Sequence, residues 1–314
     1  MQKVLVTGGA GFIGSHLCDF LIGKDYEVIC LDNFLTGSKK NIEHLLDNPN
    51  FEFVESDVTK PLSSSLLDIS YIFHLASPAS PVDYQNYPEE TLLTNSMGTI
   101  NMLELAKKMS AKILIASTSE VYGDPLEHPQ KETYWGNVNT FGPRSCYDES
   151  KRFAESATYV YLHKYNLDAS VVRIFNTYGP RMQVNDGRVV SNFINAALTN
   201  EPITIYGDGT QTRSFCFVSD LVEGLTKVMF TEGTTGEVFN LGNPEEYSMN
   251  DLAKKIREMT DSASDIINKE LPPDDPKQRR PDISKTERFL NWKPVVSVDK
   301  GLLKTIEYYK SINN

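Results

Sequence analysis

The sequence is poor in the residues that build metal centres and disulfide frameworks. Among 314 residues there are four cysteines (Cys18, Cys30, Cys146, Cys216) and five histidines. None stand in a CxxC or His-pair spacing, so neither a zinc site nor a disulfide scaffold is expected. Basic charge is also short: 31 Lys and Arg against 42 Asp and Glu, a net −11. That balance argues against a nucleic acid partner, because a phosphate backbone requires a basic face. An anionic small ligand would have to be held by local arginines working against the overall field. No apolar run approaches the ~18 residues of a membrane span, and the opening MQKVLVTGGAGFIG has no signal-like apolar segment. The expectation is a soluble protein of a reducing, cytoplasmic compartment.

What is present is a regular alternation. Val4-Leu5-Val6, Glu27–Leu31, Phe51–Val54, Tyr71–Leu75, Lys112–Ile115 and Val171–Phe175 are short apolar runs. Segments of helical period lie between them, notably Phe12–Gly23, Asn95–Met109 and Tyr147–Tyr165. Strands alternating with helices predict an α/β fold, a Rossmann-type doubly wound parallel sheet built from right-handed βαβ units. After Gly179-Pro180-Arg181 the segments shorten between turn clusters, and Leu271–Pro276 is a breaker run. Residues 1–180 are expected to form a dinucleotide-binding domain and 181–314 a smaller α/β substrate lobe. A strand near 236–241 is expected to return to the main sheet.

Gly8, Gly11 and Gly14 lie between the first strand and the first helix. A tight turn, close backbone approach to a pyrophosphate and close helix–strand packing each exclude a β-carbon. The helix N-terminus then offers free N–H groups and its positive dipole end to phosphates. Asp32 ends the second strand, where a carboxylate accepts from ribose hydroxyls and repels a 2′-phosphate, favouring NAD over NADP. Asp57, closing the third strand, suits the adenine edge.

Tyr147 and Lys151 are four residues apart on a helix and share a face. A phenol with a reference pKa of ~10 is a poor base at neutral pH, and a nearby ammonium brings it into working range. Thr118, at a strand C-terminus, is placed to hydrogen-bond the oxygen that Tyr147 deprotonates.

These motifs carry a resemblance. TGGAGFIGSHL (Thr7–Leu17), HLASPASPVDYQ (His74–Gln85), STSEVYGDP (Ser117–Pro125), GPRSCYDESKR (Gly142–Arg152), RIFNTYGPRM (Arg173–Met182) and RRPDI (Arg279–Ile283) span nearly the whole chain. Together they resemble the extended short-chain dehydrogenase/reductases that act on nucleotide sugars, and within them the UDP-glucuronate decarboxylases that make UDP-xylose. The resemblance implies C4 oxidation by tightly held NAD, loss of CO2 from a 4-ketone, protonation at C5 and return of the hydride. It implies catalytic roles for Thr118, Ser119, Glu120, Tyr147, Lys151 and Arg279, with Arg279 at the sugar carboxylate and Arg280 as the alternative. Ser119 stands where dehydratases of this group carry an acid, which removes the group that would expel water.

The implied cofactor contacts extend to Phe12, Ile13, Asn33, Phe34, Thr36, Gly37, Val58, Leu75, Ala76, Ser77, Thr94, Thr177 and Arg188. The implied UDP-sugar contacts are Asn101, Asn176, Val190, Tyr206, Gln211 and Arg213. Leu93 departs from the pattern, since animal members carry a lysine there, and a membrane anchor like that of Golgi forms is not expected. Apolar positions on the two long helices (Met97, Ile100, Leu103, Phe153, Tyr159, Tyr161, Leu162) fit the family's four-helix homodimer interface. The competing readings are a nucleotide-sugar 4-epimerase or 4,6-dehydratase, and a non-catalytic NAD-binding scaffold. Retention of Thr118, Tyr147 and Lys151 argues against the scaffold.

Overall fold

The structure, a computed structural model, describes residues 1–61, 68–270 and 278–313. The breaker run Leu271–Pro276 lies outside the described residues. The first half alternates as β1 (Lys3–Thr7), α1 (Phe12–Ile22), β2 (Glu27–Asp32), β3 (Phe51–Glu55), β4 (Ile69–His74), α2 (Pro81–Asn86), α3 (Pro88–Leu93), α4 (Thr99–Met109), β5 (Lys112–Thr118), α5 (Ser145–Tyr165) and β6 (Ala169–Ile174). The second half runs β7 (Thr177–Tyr178), α6 (Val189–Leu198), β8 (Ile203–Tyr206), β9 (Thr212–Ser214), β10 (Cys216–Phe217), α7 (Val218–Phe230), β11 (Val238–Leu241), β12 (Glu246–Ser248), α8 (Met249–Thr260), β13 (Ile266–Lys269), β14 (Gln278–Arg279), α9 (Ser284–Leu290) and α10 (Val298–Asn313).

Among the described residues, seven strands form one parallel sheet in the order β11-β6-β5-β4-β1-β2-β3. The two-residue period of a strand sends neighbours to opposite faces. Val4 and Val6 therefore enter one core with Leu17 and Leu21 of α1 and Leu221 and Leu225 of α7. Leu5 enters the other with Met102 and Leu103 of α4 and Ala154 and Ala157 of α5. Burial on both faces explains why these strands read as continuous apolar runs rather than alternating ones.

The order reverses between β1 and β4, so the crossovers diverge there and leave a crevice at the strands' carboxyl ends, where ligands bind in open α/β sheets. The helix read over Asn95–Met109 is one π turn, Thr94–Gly98, followed by α4. The later segments build small sheets beyond the crevice; in one of them β9 lies between β12 and β14. No helix of the described residues is long and apolar enough to cross a membrane. No group of three or more His, Cys, Asp or Glu among them could hold a metal ion.

Candidate active site

The crevice is a cleft of about 610 Å³ running from the glycine loop past β5 and α5 to the β6–β7 connection. Gly8, with φ +70, turns the chain out of β1; a Cβ there would lie 2.9 Å from the Ala76 backbone. Gly14 lets α1 start directly above that turn, since a Cβ would fall 2.8 Å from Gly9 Cα. The first turn of α1 holds no acidic side chain, so its N–H groups are available to an anion. Asp32 is buried and fixed, accepting from the backbone N–H of Ala10 (3.0 Å) and of Phe34 (2.8 Å). Its carboxylate occupies the space a Cβ at Gly37 would need. Glycine cradle, helix N-terminus and oriented carboxylate together fit a dinucleotide.

At the other end of the cleft β5 delivers Thr118, whose Oγ1 accepts from the Glu120 N–H at 3.2 Å and caps the short turn Ser119–Tyr122. Tyr147 is buried on the first turns of α5. Burial pushes its phenol up to about 12, against a side-chain hydrogen bond with Thr118 and the charge of Arg188, which both lower it. Lys151 donates to the Ala116 carbonyl at 2.8 Å rather than to the phenol, and its Nζ lies 5.9 Å from the Tyr147 ring centroid. Burial lowers its ammonium to about 7. The helix face aligns the pair, and burial is the largest cause acting on each of the two groups.

The least expected arrangement surrounds Glu120. Burial alone would raise its carboxyl, but the Arg279 and Arg144 guanidiniums, each hydrogen-bonded to it, hold it well below the usual carboxylate range. Arg279 arrives on β14, beside Arg213 of β9, and also donates to the Gly123 carbonyl at 3.1 Å. Arg280 is turned elsewhere, 3.6 Å from Glu246.

Arg144 was not singled out from the sequence. The available signal was an arginine next to a helix N-terminus, where a cation opposes the macrodipole and needs another partner. Tyr84 of α2 is a second such residue: it packs against Tyr147 and lines the cleft.

Most of the expected cofactor residues line the cleft, from Gly8, Gly11, Phe12, Ile13 and Gly14 through Asp57, Val58, Leu75, Ala76, Ser77 and Thr94 to Thr177 and Arg188. Asn176 lines it as well. Phe34 instead packs against Phe53, with ring centroids 4.9 Å apart and planes tilted by 30°, and contributes its N–H to Asp32. Asn101 donates to the Val58 carbonyl, and Val190 is in the core. Tyr206, Gln211 and Arg213 lie outside the cleft lining: Gln211 donates to the Tyr206 carbonyl at 2.5 Å, and Arg213 to the Thr212 carbonyl at 2.9 Å. The interval in sequence between them and β5 says nothing about how near they stand to it.

The family model described as GDP-mannose 4,6 dehydratase matches residues 5–305. UDP-glucuronic acid decarboxylase 1 of Arabidopsis thaliana is 53% identical over 98% of this chain and 70% of its own length. The enzyme of the same name from Xenopus tropicalis is 51% identical over 98% of this chain and 72% of its own. Among solved structures, the UDP-glucuronic acid 4-epimerase of Bacillus cereus, with UDP-glucuronic acid and NAD, superposes with TM-score 0.90 at 32% identity, covering 99% of this chain and 100% of that one. The UDP-glucose 4-epimerase of Thermotoga maritima, with UDP-glucose, gives TM-score 0.90 at 31% identity, covering 100% of both. With its doubly wound sheet, dinucleotide cradle and Tyr-Lys pair, the chain belongs to the GDP-mannose 4,6 dehydratase family of extended short-chain dehydrogenases/reductases, and within it to the UDP-glucuronic acid decarboxylases.

Proposed function

We propose that this chain converts UDP-glucuronate to UDP-xylose and CO2. The observation that carries the reading is Arg279: a buried guanidinium from the far lobe, brought to Glu120 two residues after Thr118. A fork of this kind is suited to a sugar carboxylate. Bound NAD supplies a reversible hydride acceptor at sugar C4, so the reaction is redox-neutral.

The protein's own work is positional and protic. Tyr147, hydrogen-bonded with Thr118, takes the C4 hydroxyl proton. Lys151, whose ammonium burial lowers to about 7, passes that proton on. Once C4 is a ketone, the C6 carboxylate is β to it and CO2 leaves with its electrons in an enolate, which Arg279 stabilises. Glu120 orders the ring or a water for protonation at C5. Ser119 cannot act as the acid that dehydration requires.

Residues 1–180 with β11 are assigned to NAD and 181–314 to the nucleotide sugar. Asn176, Tyr206, Gln211 and Arg213 are assigned to UDP. The reading includes a cytoplasmic location, supported by four cysteines that are all free. It also includes a homodimer through α4, the turn Thr94–Gly98 before it, and α5, supported by Met97, Phe153 and Tyr159, which are 50%, 46% and 64% exposed. Leu103 and Tyr161 do not support that face, since both are buried in the core beneath the sheet. A monomeric mass by light scattering would remove the dimer.

The second reading is a 4-epimerase, favoured by the fold shared with the Bacillus cereus UDP-glucuronic acid 4-epimerase. Incubation with UDP-glucuronate and sub-stoichiometric NAD+ separates the two. Stoichiometric CO2 and UDP-xylose without net NADH is expected; a C4 epimer with all carbon retained overturns the decarboxylase. Tyr147→Phe should abolish turnover with NAD binding intact, and surviving activity would remove Tyr147 as the base.

A further inference from the structure

Four charged groups, Asp148 and Arg279 buried and Arg144 and Glu120 nearly so, form a chain from one side of the cleft to the other. Asp148 sits on α5, Arg144 just before that helix, Glu120 in the turn after β5, and Arg279 on β14. Arg144 Nε lies 3.9 Å from Asp148 Oδ2, while Arg144 and Arg279 both bond Glu120 directly. Two guanidiniums therefore face two carboxyls.

Asp148 is the less firmly held of the two acids. Its Oδ1 is buried with no hydrogen-bond partner among the described residues. Glu149 on its own helix, its neighbours Tyr147 and Cys146, and Tyr84 from α2, whose buried hydroxyl is also without a partner among the described residues, bring it no positive charge. Lys151 and Arg152, three and four residues on along α5, are engaged by the Ala116 carbonyl and by Glu149 with the Val121 and Trp135 carbonyls, respectively. Burial and the Glu120 charge push the Asp148 carboxyl up to about 7, although Arg144 and Arg279 pull the other way.

We infer that Asp148 is the charge-compensating residue of this site: a substrate that brings a carboxylate to Arg279 is taken up together with one proton, which goes onto Asp148. The inference rests on the decarboxylase reading, because it requires an anionic sugar at Arg279. A third carboxylate against two guanidiniums would leave a buried anion without a partner, which is costly in a low-dielectric site. The group that neutralises is the one whose charged form is least supported. Glu120 keeps a direct bond from Arg144, whereas Asp148 does not have one. As Arg279 turns toward the substrate, Glu120 leans more on Arg144, and Arg144 compensates Asp148 less. Both effects raise the Asp148 carboxyl in the same direction. Asp148 acts through Arg144 and is a positioning residue rather than a catalytic one.

The test is calorimetric. NAD-loaded Tyr147→Phe protein, expected to bind without turning over, is titrated at about pH 8, where free Asp148 is mostly ionised, with UDP-glucuronate in two buffers of different ionisation enthalpy. Buffer-dependent heats showing net proton uptake are expected with UDP-glucuronate and not with UDP-glucose, which has no carboxylate. The uptake is lost in Asp148→Asn and regained in Asp148→Glu. Equal heats in both buffers overturn the inference. So does uptake that survives Asp148→Asn, which would assign the proton elsewhere, with Lys151 the first alternative. A measurement without any change at position 148 guards against a misfolded variant: the Kd for UDP-glucuronate relative to UDP-glucose should fall as pH is lowered from about 9 toward 7 and level off below that, and a ratio that stays flat above pH 7 overturns the inference. Binding of UDP-glucose with none of UDP-glucuronate at any pH overturns the decarboxylase reading, and this inference with it.

Discussion

The rings of Tyr84 and Tyr147 lie nearly parallel, with centroids 5.1 Å apart and planes 10° from each other. Tyr84 belongs to α2, in the connection after β4, and Tyr147 to α5, so one aromatic contact ties the phenol proposed as base to the opposite wall of the cleft.

That contact predicts two different outcomes at one position. The Tyr84 hydroxyl is buried with no partner among the described residues. Removing it in Tyr84→Phe leaves the stack and relieves an unsatisfied group, so thermal stability should be unchanged or raised. Tyr84→Ala removes the wall itself. Turnover should fall by about tenfold or more through misplacement of Tyr147, with NAD affinity intact. A large loss of stability in Tyr84→Phe would show that the hydroxyl is in fact bonded.

Arg279 and Glu120 predict a loss specific to the anionic sugar. Arg279→Lys replaces a rigid fork by a point charge, and decarboxylation should fall by about 10²-fold or more while NAD binding is unchanged. Activity close to wild type would take Arg279 out of the mechanism. Glu120→Gln leaves Arg144 and Arg279 buried around a neutral amide, and stability should drop by about 3–5 kcal/mol, the range for breaking one side of a buried ion pair. Chemical denaturation measures it.

Gly14 predicts a coupled loss of fold stability and cofactor. A Cβ there meets the Gly8–Gly9 backbone, which cannot yield as a flexible side chain would. Gly14→Ala should cost about 1–3 kcal/mol and weaken NAD binding. Wild-type NAD affinity in this variant would show that the loop has room to spare.

Lys151 makes a prediction about pH. Burial lowers its ammonium to about 7 in the folded protein, from an ordinary value near 10.5 when unfolded. Between those values the unfolded chain binds the extra proton, so stability gained from this group rises with pH. The burden of the buried amine is greatest below pH 7 and fades toward pH 10.5. In nucleotide-free protein, Lys151→Met should melt higher than wild type at pH 6, and the gap should narrow as pH rises to 9. A gap independent of pH would mean that Lys151 is not desolvated in this way.

Local pattern was sufficient for much of this molecule. The apolar runs and helical periods announce the alternating α/β order, because strand and helix periodicities are written in consecutive residues. The glycine spacing with Asp32, and Tyr147 with Lys151, are also local, the first fitting within one βαβ unit and the second within about one helix turn. What lay outside that reach was decided by chain closure. Arg279 meets Glu120 across 159 residues, and Arg144 meets it across 24. Tyr84 finds Tyr147 only because α3 and α5 pack side by side and bring α2 with them. Lys151 turns to the Ala116 carbonyl because the packed sheet removes water from it. Sequence determined which chemical groups the protein has and on which elements they ride. Tertiary structure decided their charge states and partners, since desolvation and ion pairing depend on what is buried beside a group rather than on what precedes it in the chain.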